Sequence, residues 1–350
     1  MRTRLLPLLL IAFVVVPGLH ERSGAWPGLD AAVGAAAPSD AAVGQAQQVK
    51  PPAPASQATP TAPQAAPSAP GPPPEYGPAK GTLVIVGGGS MEGTGIVEKF
   101  IELAGGPEAK LVVVPTAGGN RNQDGTVRVY EEQKAIAGWL KRGMKKVRML
   151  HTHDPKVADT EAFVAPLLEA NAVWFDGGRQ WNIVDSYMNT RTYREFHKVL
   201  ERGGVIGGSS AGATIQGDYL VRGAVAGPQI VMTTEPEHEH GFNFLRRTAI
   251  DQHINTRNRW DDIIPVIQKY PTLLGLGLSE GTAIIVSGDA FEVMGKWKVA
   301  VHDNTRLYQP WEKPYFVLSA GDVYDMKARR LVKLGTGAPP PRPQGRQGGL

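Results

Sequence analysis

The sequence contains no cysteine. Disulfide bonds are therefore excluded, and so is a lipoprotein anchor, which is attached through a cysteine. The sequence also has no large excess of positive or negative charge, because it contains 37 Lys and Arg residues and 33 Asp and Glu residues. The basic cluster at residues 141–148 has no aromatic residue interleaved with it, so we do not expect a nucleic-acid-binding surface.

The N-terminal apolar stretch, residues 5–16, is too short to cross a bilayer as a helix. Arg2 and Arg4 precede it and small residues follow at 23–25, a pattern typical of a secretory signal peptide. We therefore predict a signal peptide over residues 1–26 and a secreted or periplasmic protein. An uncleaved membrane anchor over the same residues is the alternative.

Two segments contain very few large apolar residues. Residues 27–78 are rich in Ala, Pro, Gly, Ser and Gln, which predicts a disordered linker, because such a chain cannot bury enough apolar surface to offset its ordering entropy. Residues 337–350 predict a flexible tail for the same reason. The remaining part, residues 79–336, has the size of one α/β domain.

Within this part, short apolar runs alternate with helical patterns. The runs lie at residues 82–86, 111–114, 147–150, 172–175 and 205–206. Their alternation predicts an α/β fold, mostly parallel, with a sheet covered on both faces. Three later runs, at 291–294, 298–302 and 316–323, predict antiparallel strands that extend the edge of this sheet.

A glycine-rich turn follows the run at 205–206. Gly208, Ser210 and Gly212 match the G-x-S-x-G nucleophile elbow, whose glycines let a strand turn sharply into a helix. Ser210 is therefore the candidate nucleophile, and the N–H groups of the following turn face the position of an acyl oxyanion. A glycine-rich turn or a phosphate cradle without covalent chemistry is the alternative.

Residues 87–89 form a second glycine turn, directly after the first apolar run. The spaced glycine fingerprint of a dinucleotide site is incomplete there, and no acidic residue ends the second run convincingly. We interpret these glycines as allowing a close approach of the backbone to the site.

His253 and Glu280 are the candidate partners of Ser210. His253 lies in an unusually polar segment and is suited to act as the general base, and Glu280 follows the apolar run 273–278. A carboxylate there would fix the tautomer of His253 and stabilise its imidazolium form. The alternatives are a surface histidine and a turn glutamate. The order serine, histidine, acid differs from that of α/β-hydrolase esterases, which favours a peptidase.

His238 and His240 alternate with Glu235, Glu237 and Glu239. Two histidines on one face of a strand form part of a metal site, but no third ligand is evident. We interpret the segment as a solvated loop near the mouth of the site and predict no metal.

Arg257 and Arg259 follow His253 closely. A guanidinium binds a carboxylate through two hydrogen bonds, so the pair predicts a site for an acidic substrate backbone. Pairing of both arginines with Asp251, Asp261 or Asp262 is the structural alternative.

Four motifs together resemble the cyanophycinase branch of the serine-peptidase family that also includes dipeptidase E. They are Phe-Asp-Gly-Gly-Arg-Gln at 175–180, Gly-Gly-Ser-Ser-Ala-Gly-Ala at 207–213, Asp-Gln-His at 251–253 with the two arginines, and Gly-Leu-Gly-Leu-Ser-Glu-Gly-Thr-Ala at 275–283. The match runs from about residue 81 to 301 in the correct order.

The resemblance implies a flavodoxin-like three-layer sandwich related to class I glutamine amidotransferases, a homodimer and no cofactor. It implies hydrolysis of isopeptide bonds between arginine and the β-carboxyl of an aspartate backbone, by Ser210, His253 and Glu280. Backbone N–H groups of Gly178 and Ala211 would hold the oxyanion. The implied substrate-binding residues are Gln180, Asp251, Gln252, Arg257 and Arg259.

The sequence departs from the family pattern at Arg179, Asp262 and Ser279, where acidic, basic and acidic residues are usual, respectively. These positions bear on how the substrate side chain is recognised, since Arg179 would repel a substrate arginine if it faced it. Cleavage of a cyanophycin-type β-Asp-Arg polymer is therefore the leading prediction. An α- or β-aspartyl dipeptidase is the alternative, followed by an esterase and a non-catalytic binding module.

Overall fold

The computed structural model describes residues 72–122 and 124–335. The predicted signal peptide, the predicted C-terminal tail and nearly all of the predicted linker lie outside the described residues. Within the described residues, no helix is long and apolar enough to cross a membrane.

Strands and helices alternate through the first half of this part of the chain, and strands dominate the second half. The strands are β1 (Thr82–Val86), β2 (Lys110–Val114), β3 (Lys146–Met149), β4 (Ala172–Phe175), β5 (Val205–Ser209), β6 (Thr248–Gln252), β7 (Leu274–Leu278), β8 (Thr282–Ser287), β9 (Ala290–Gly295), β10 (Val299–Asp303), β11 (Phe316–Leu318), β12 (Val323–Asp325) and β13 (Arg330–Lys333). The helices are α1 (Ile96–Leu103), α2 (Glu132–Lys141), α3 (Pro155–Ala158), α4 (Glu161–Leu168), α5 (Gln180–Tyr187), α6 (Arg191–Glu201), α7 (Ala211–Thr214) and α8 (Ile264–Lys269).

Most strands belong to one mixed sheet. Among the described residues its nine strands have the order β13-β12-β9-β8-β1-β5-β4-β2-β3. The first five strands in the chain are parallel, whereas β8, β9, β12 and β13 are antiparallel to their neighbours. The predicted α/β class is therefore confirmed. Flavodoxin has the strand order 2-1-3-4-5, whereas the five strands here have the order 3-2-4-5-1, and the flavodoxin-like layering stays a prediction.

Both faces of the four inner parallel strands, β1, β2, β4 and β5, are largely buried, whereas the edge strand β3 exposes Lys146 and Arg148. Leu83 and Ile85 of β1 pack in one apolar cluster with Phe196 of α6, and Val84 and Val86 pack in another that includes Phe100 of α1 and Trp139 of α2. Successive strand residues point to opposite faces, so burial on both faces explains why these strands are continuous apolar runs in the sequence.

A second sheet of the described residues has the order β11-β10-β7-β6. The prediction that all late strands extend the main sheet was wrong for β10 and β11, which pair with each other, β10 also pairing with β7. A turn at residues 319–322 separates β11 from β12 and moves the chain between the sheets. Apolar runs of similar length occur in both sheets, so the pattern alone does not identify the partner strand.

The packed chain begins several residues before the predicted domain start at residue 79. Tyr76 is buried, and the N–H groups of Glu75 and Tyr76 donate to Asp289 Oδ1 at 2.6 and 2.8 Å. Arg246 donates to the carbonyl oxygens of Pro74 and Gly77. These contacts attach the segment to the turn of the β8–β9 hairpin and to the chain just before β6.

Candidate active site

Ser210 lies in a sharp turn between β5 and α7. Its backbone has φ 59° and ψ −114°, a combination that is sparsely populated by residues other than glycine. A Cβ added at Gly208 would lie 2.2 Å from the Gly212 carbonyl oxygen, and one at Gly212 would lie 2.1 Å from the Phe175 carbonyl oxygen. Glycine is therefore required at both positions of the predicted elbow, because the backbone segments touch.

Ser210, His253 and Glu280 form one chain of hydrogen bonds. Ser210 Oγ lies 2.8 Å from His253 Nε2, and His253 Nδ1 lies 2.5 Å from Glu280 Oε1. The strands explain this meeting: β6 and β7 are parallel neighbours with Gln252 opposite Leu278, so the residues that follow each strand emerge side by side. The sequence-predicted trio is thus brought together at the carboxyl ends of β5, β6 and β7.

The glycine turn at residues 87–89 packs against two members of this trio, His253 and Glu280. Gly87 accepts the His253 N–H through its carbonyl oxygen at 2.8 Å. A Cβ on Gly88 would lie 2.2 Å from His253 Cε1, and one on Gly89 would lie 2.6 Å from Glu280 Oε2. The interpretation that these glycines allow a close backbone approach is confirmed.

The surroundings of His253 favour its neutral form. Burial is the main cause that lowers its pKa, and the positive charges of Arg257 and Arg259 lower it further, against the opposing effect of Glu280. For Glu280, burial raises the pKa, but hydrogen bonds from His253 and Thr256 outweigh burial and the net pKa is lowered. A neutral imidazole beside an ionised carboxylate is able to accept a proton from Ser210.

The predicted oxyanion residues lie next to Ser210. A Cβ added at Gly177 would come within 3.2 Å of Ser210 Cβ, so the segment that carries Gly178 passes beside the serine. Gly178 has φ 149°, and a Cβ there would lie 2.1 Å from the Ala117 carbonyl oxygen. Within residues 72–122 and 124–335, the Gly178 N–H has no protein acceptor. Ala211 begins α7, where N–H groups lack partners within the helix.

Two of the predicted substrate-binding side chains are engaged inside the protein. Gln180 is buried and its Nε2 donates to the carbonyl oxygens of Val221 and Arg222 at 2.5 and 2.9 Å. Asp251 is fully buried and accepts two hydrogen bonds from Arg222, both at 2.9 Å. In the structure these hydrogen bonds hold the segment around Arg222, and the assignment of both residues to the substrate stays a prediction.

Arg222 is the residue that sequence reasoning missed. Its side chain is 3% exposed and its guanidinium also contacts Asp262, the acid that departs from the family pattern. A single arginine in a loop, with φ 61°, gives no periodic signal that would reveal these distant partners. Arg179, the other departure near it, donates to the Ala224 carbonyl oxygen at 2.6 Å.

Arg257 and Arg259 differ in their surroundings. Arg257 is exposed beside His253, whose pKa its charge lowers. Arg259 is buried, and its Nη1 lies 3.4 Å from both oxygens of Gln252 and 3.8 Å from Asp251 Oδ1. The structural alternative therefore holds for Arg259, which pairs with Asp251, whereas among the described residues Arg257 forms no ion pair with Asp251, Asp261 or Asp262.

His238 is buried rather than solvated. It lies between Asp185 and Glu235, with ring nitrogens 2.7 and 2.9 Å from the two carboxylates. Burial lowers its pKa, but these hydrogen bonds outweigh burial and raise the net pKa. His240 is 68% exposed and lies 3.8 Å from Asp218. Within the part of the chain that the structure describes, no three or more His, Asp and Glu side chains are arranged so that they could hold a metal ion.

Comparison with known proteins identifies the family. Residues 83–294 match the model of peptidase family S51, which is more than half of the chain. The chain belongs to this peptidase family. It is 26% identical over 271 residues to the cyanophycinase of Synechococcus elongatus, a match that covers 72% of this chain and 81% of that protein. It is 24% identical over 236 residues to the cyanophycinase of Geminocystis herdmanii, covering 65% and 82%.

Among solved structures, a peptidase from an acI-B1 actinobacterium is similar with a TM-score of 0.53 and 21% identity, covering 70% of this chain and 96% of that one. This similarity shows a shared fold. The site geometry and the family match therefore point to the same region, since the matched residues 83–294 contain the trio and both glycine turns.

Proposed function

We propose that the protein is a serine-type peptidase in which Ser210 is the nucleophile. The observation that carries this proposal is the hydrogen-bonded chain from Ser210 through His253 to Glu280, at 2.8 and 2.5 Å, with the serine in a strained elbow. Nucleophile, base and orienting acid in this geometry define the serine-hydrolase arrangement, whatever their order in the chain. A complete trio argues against a non-catalytic binding module.

In the first half-reaction, Ser210 Oγ attacks the carbonyl carbon of the scissile amide and its proton passes to His253 Nε2. Glu280 stabilises the imidazolium through Nδ1–H, and the N–H groups of Gly178 and Ala211 hold the oxyanion. His253 then gives the proton to the leaving amine as the C–N bond breaks. Water attacks the acyl ester with the same base and releases the acid and free Ser210.

The proposed substrate is an aspartyl isopeptide of the cyanophycin type, in which arginine is joined to the β-carboxyl of aspartate. Two observations support it: the related proteins are cyanophycinases, and Arg257 is exposed next to the catalytic histidine, where its guanidinium is able to bind a free carboxylate of the acyl side. An aspartyl dipeptidase is the second candidate, because the departures at Arg179 and Asp262 concern side-chain recognition.

Export from the cytoplasm and assembly as a homodimer are further parts of the proposal. Export rests on the pattern of residues 1–26, and dimerisation on the family resemblance. N-terminal sequencing of the protein recovered from a cell fraction outside the cytoplasm tests the first, and sedimentation equilibrium tests the second. Recovery in the cytoplasm with Met1 retained, or a monomer at all concentrations, would contradict them.

The substrate is tested by incubating the purified protein, in parallel, with insoluble cyanophycin, β-Asp-Arg, β-Asp-Lys and α-Asp dipeptides. Release of soluble β-Asp-Arg from the polymer by the wild type, and none by Ser210→Ala, is the expected result. Cleavage of α-linked dipeptides alone would instead assign the protein to the dipeptidase branch. Equal hydrolysis by the Ser210→Ala variant would reject the serine mechanism itself.

A further inference from the structure

The acid of the trio, Glu280, is less buried than the histidine that it contacts. Its side chain is 30% exposed, whereas that of His253 is 9% exposed. A glutamate has one more rotatable bond than an aspartate, and fixing it costs conformational entropy. A carboxylate that must hold an imidazole in one orientation therefore needs partners of its own.

The backbone of Glu280 is fixed on both sides. Its N–H donates to Asn255 Oδ1 at 2.9 Å, and the N–H of the next residue, Gly281, donates to the Gly88 carbonyl oxygen at 2.8 Å. Gly89 closes the Oε2 side of the carboxylate, since a Cβ there would lie 2.6 Å from that oxygen. These contacts restrict the main chain and one edge of the carboxylate but do not orient Oε1.

The hydroxyl of Thr256 contacts the remaining oxygen. Thr256 Oγ1 donates to Glu280 Oε1 at 3.0 Å, and the same oxygen lies 2.5 Å from His253 Nδ1. The chain reaches this position because His253 has φ 58° and the following turn closes with a hydrogen bond from the Arg257 N–H to the His253 carbonyl oxygen. One oxygen thus receives two donors from the same turn.

We propose that Thr256 is a positioning residue that orients the Glu280 carboxylate toward His253. This inference rests on the proposed serine mechanism and adds a residue that acts through Glu280 rather than on the substrate. With the hydroxyl present, Oε1 is held between the Thr256 and His253 donors. Without it, only His253 holds Oε1 of this partly exposed carboxylate, so the carboxylate is less well oriented and stabilises the imidazolium formed during catalysis less.

The hydroxyl also affects the charge of the acid. Burial raises the pKa of Glu280, whereas the hydrogen bonds from His253 and Thr256 lower it, and the lowering prevails. Since Thr256 is exposed at the surface, its loss leaves no buried cavity and should not unfold the protein.

Thr256→Val and Thr256→Ser form the matched pair for the test. Valine keeps the shape and removes the donor, and serine keeps the donor. The first readout is the second-order rate constant for reaction of Ser210 with a fluorophosphonate, in which the serine oxygen bonds to phosphorus, fluoride leaves and His253 takes the proton. This rate reports the activation of the serine without any choice of peptide substrate.

We expect Thr256→Val to react about five- to tenfold more slowly than the wild type, the effect of losing one hydrogen bond to a charged group at a partly exposed site. Thr256→Ser should stay within about twofold of the wild type. On a cleaved peptide, kcat should fall with KM unchanged, because the hydrogen bond matters most when the imidazolium forms. Wild-type rates for the valine variant, or equal losses in both variants, would overturn the proposal.

The labelling experiment distinguishes failure of the serine mechanism from failure of the positioning role of Thr256 alone. If the wild type is not labelled at Ser210, the serine mechanism fails and the role of Thr256 fails with it. If the wild type is labelled and Thr256→Val is labelled equally fast, only the positioning role fails. We expect both variants to unfold at the same temperature midpoint as the wild type. If Thr256→Val reacts slowly but its midpoint is unchanged, Thr256 positions Glu280 rather than stabilising the fold.

Discussion

The Glu280 carboxylate lies 2.5 Å from His253 Nδ1, although each residue follows a different strand of the four-stranded sheet. Ser210 follows β5, which belongs to the nine-stranded sheet. The trio is therefore assembled across the two sheets described here, and the glycine turn after β1 contacts the two members from the smaller sheet. The relative placement of the sheets thus determines whether base and nucleophile meet.

Glu280→Gln should lower kcat by roughly two to four orders of magnitude, because a neutral amide stabilises the imidazolium poorly and does not select the required tautomer. Steady-state hydrolysis of the cleaved peptide measures this. Glu237→Gln is the matched control, because it removes the same charge from an exposed residue. Equal activity of the two variants would show that Glu280 is not the orienting acid.

Gly88→Ala should impair catalysis severely. The new methyl would lie 2.2 Å from His253 Cε1, so the imidazole must move away from Ser210. Gly105→Ala is the control, because Gly105 has φ 103°, close to the 104° of Gly88, but no atom lies within 4 Å of an added Cβ. Both variants carry a similar backbone strain, and only Gly88→Ala should lose the fast reaction with a fluorophosphonate. An equal loss in both would contradict the proposed contact.

The rate of Ser210 labelling should depend on pH through His253. Burial, then the charges of Arg257 and Arg259, lower the pKa of His253, so the rate should rise with pH, with a midpoint below the ordinary histidine value of about 6.5. Below the midpoint the imidazole is protonated and is not a base. Arg257→Ala removes one positive charge and should move the midpoint upward, whereas Arg257→Lys should not. A midpoint unaffected by the alanine change would contradict this electrostatic role.

Asp251→Asn should destabilise the fold by roughly 3 kcal/mol, since it breaks a buried bidentate pair with Arg222 while Asp262 remains in contact. Asp261→Asn is the control. Its pair with Lys313 is exposed, and such pairs contribute about 0 to 1 kcal/mol. Denaturation by urea measures both. If Asp251→Asn instead left stability unchanged and abolished substrate binding, Asp251 would return to the substrate-binding set.

Local sequence patterns predicted the parts of the site that are built locally. The elbow at Ser210 needs glycine at fixed spacing because the backbones touch, and this requirement is visible in a short motif. His253 is recognisable because it lies in an unusually polar segment, and Glu280 because it follows an apolar run. The parallel pairing of β6 with β7 brings the two residues together. The parallel order of the first strands follows from their alternation with helices.

Contacts between distant segments were not predictable from patterns of this kind. The pairing of Arg222 with Asp251 joins residues 29 positions apart, and the assignment of Gln180 and Asp251 to the substrate overlooked it. The second sheet was missed because the apolar runs of β10 and β11 are similar in length to those of the main sheet. The link from Thr256 to Glu280 depends on the left-handed backbone of His253, which residue type does not reveal.

The most direct test of the serine mechanism is mass spectrometry of the protein after reaction with a fluorophosphonate. Ser209→Ala and Ser210→Ala form a matched pair of variants for this test, because the two serines are adjacent and the substitutions are identical. The serine mechanism predicts a single adduct on Ser210 in the wild type and in Ser209→Ala. In Ser210→Ala both the adduct and peptide hydrolysis should be absent. An adduct on another residue, or undiminished hydrolysis by Ser210→Ala, would contradict it.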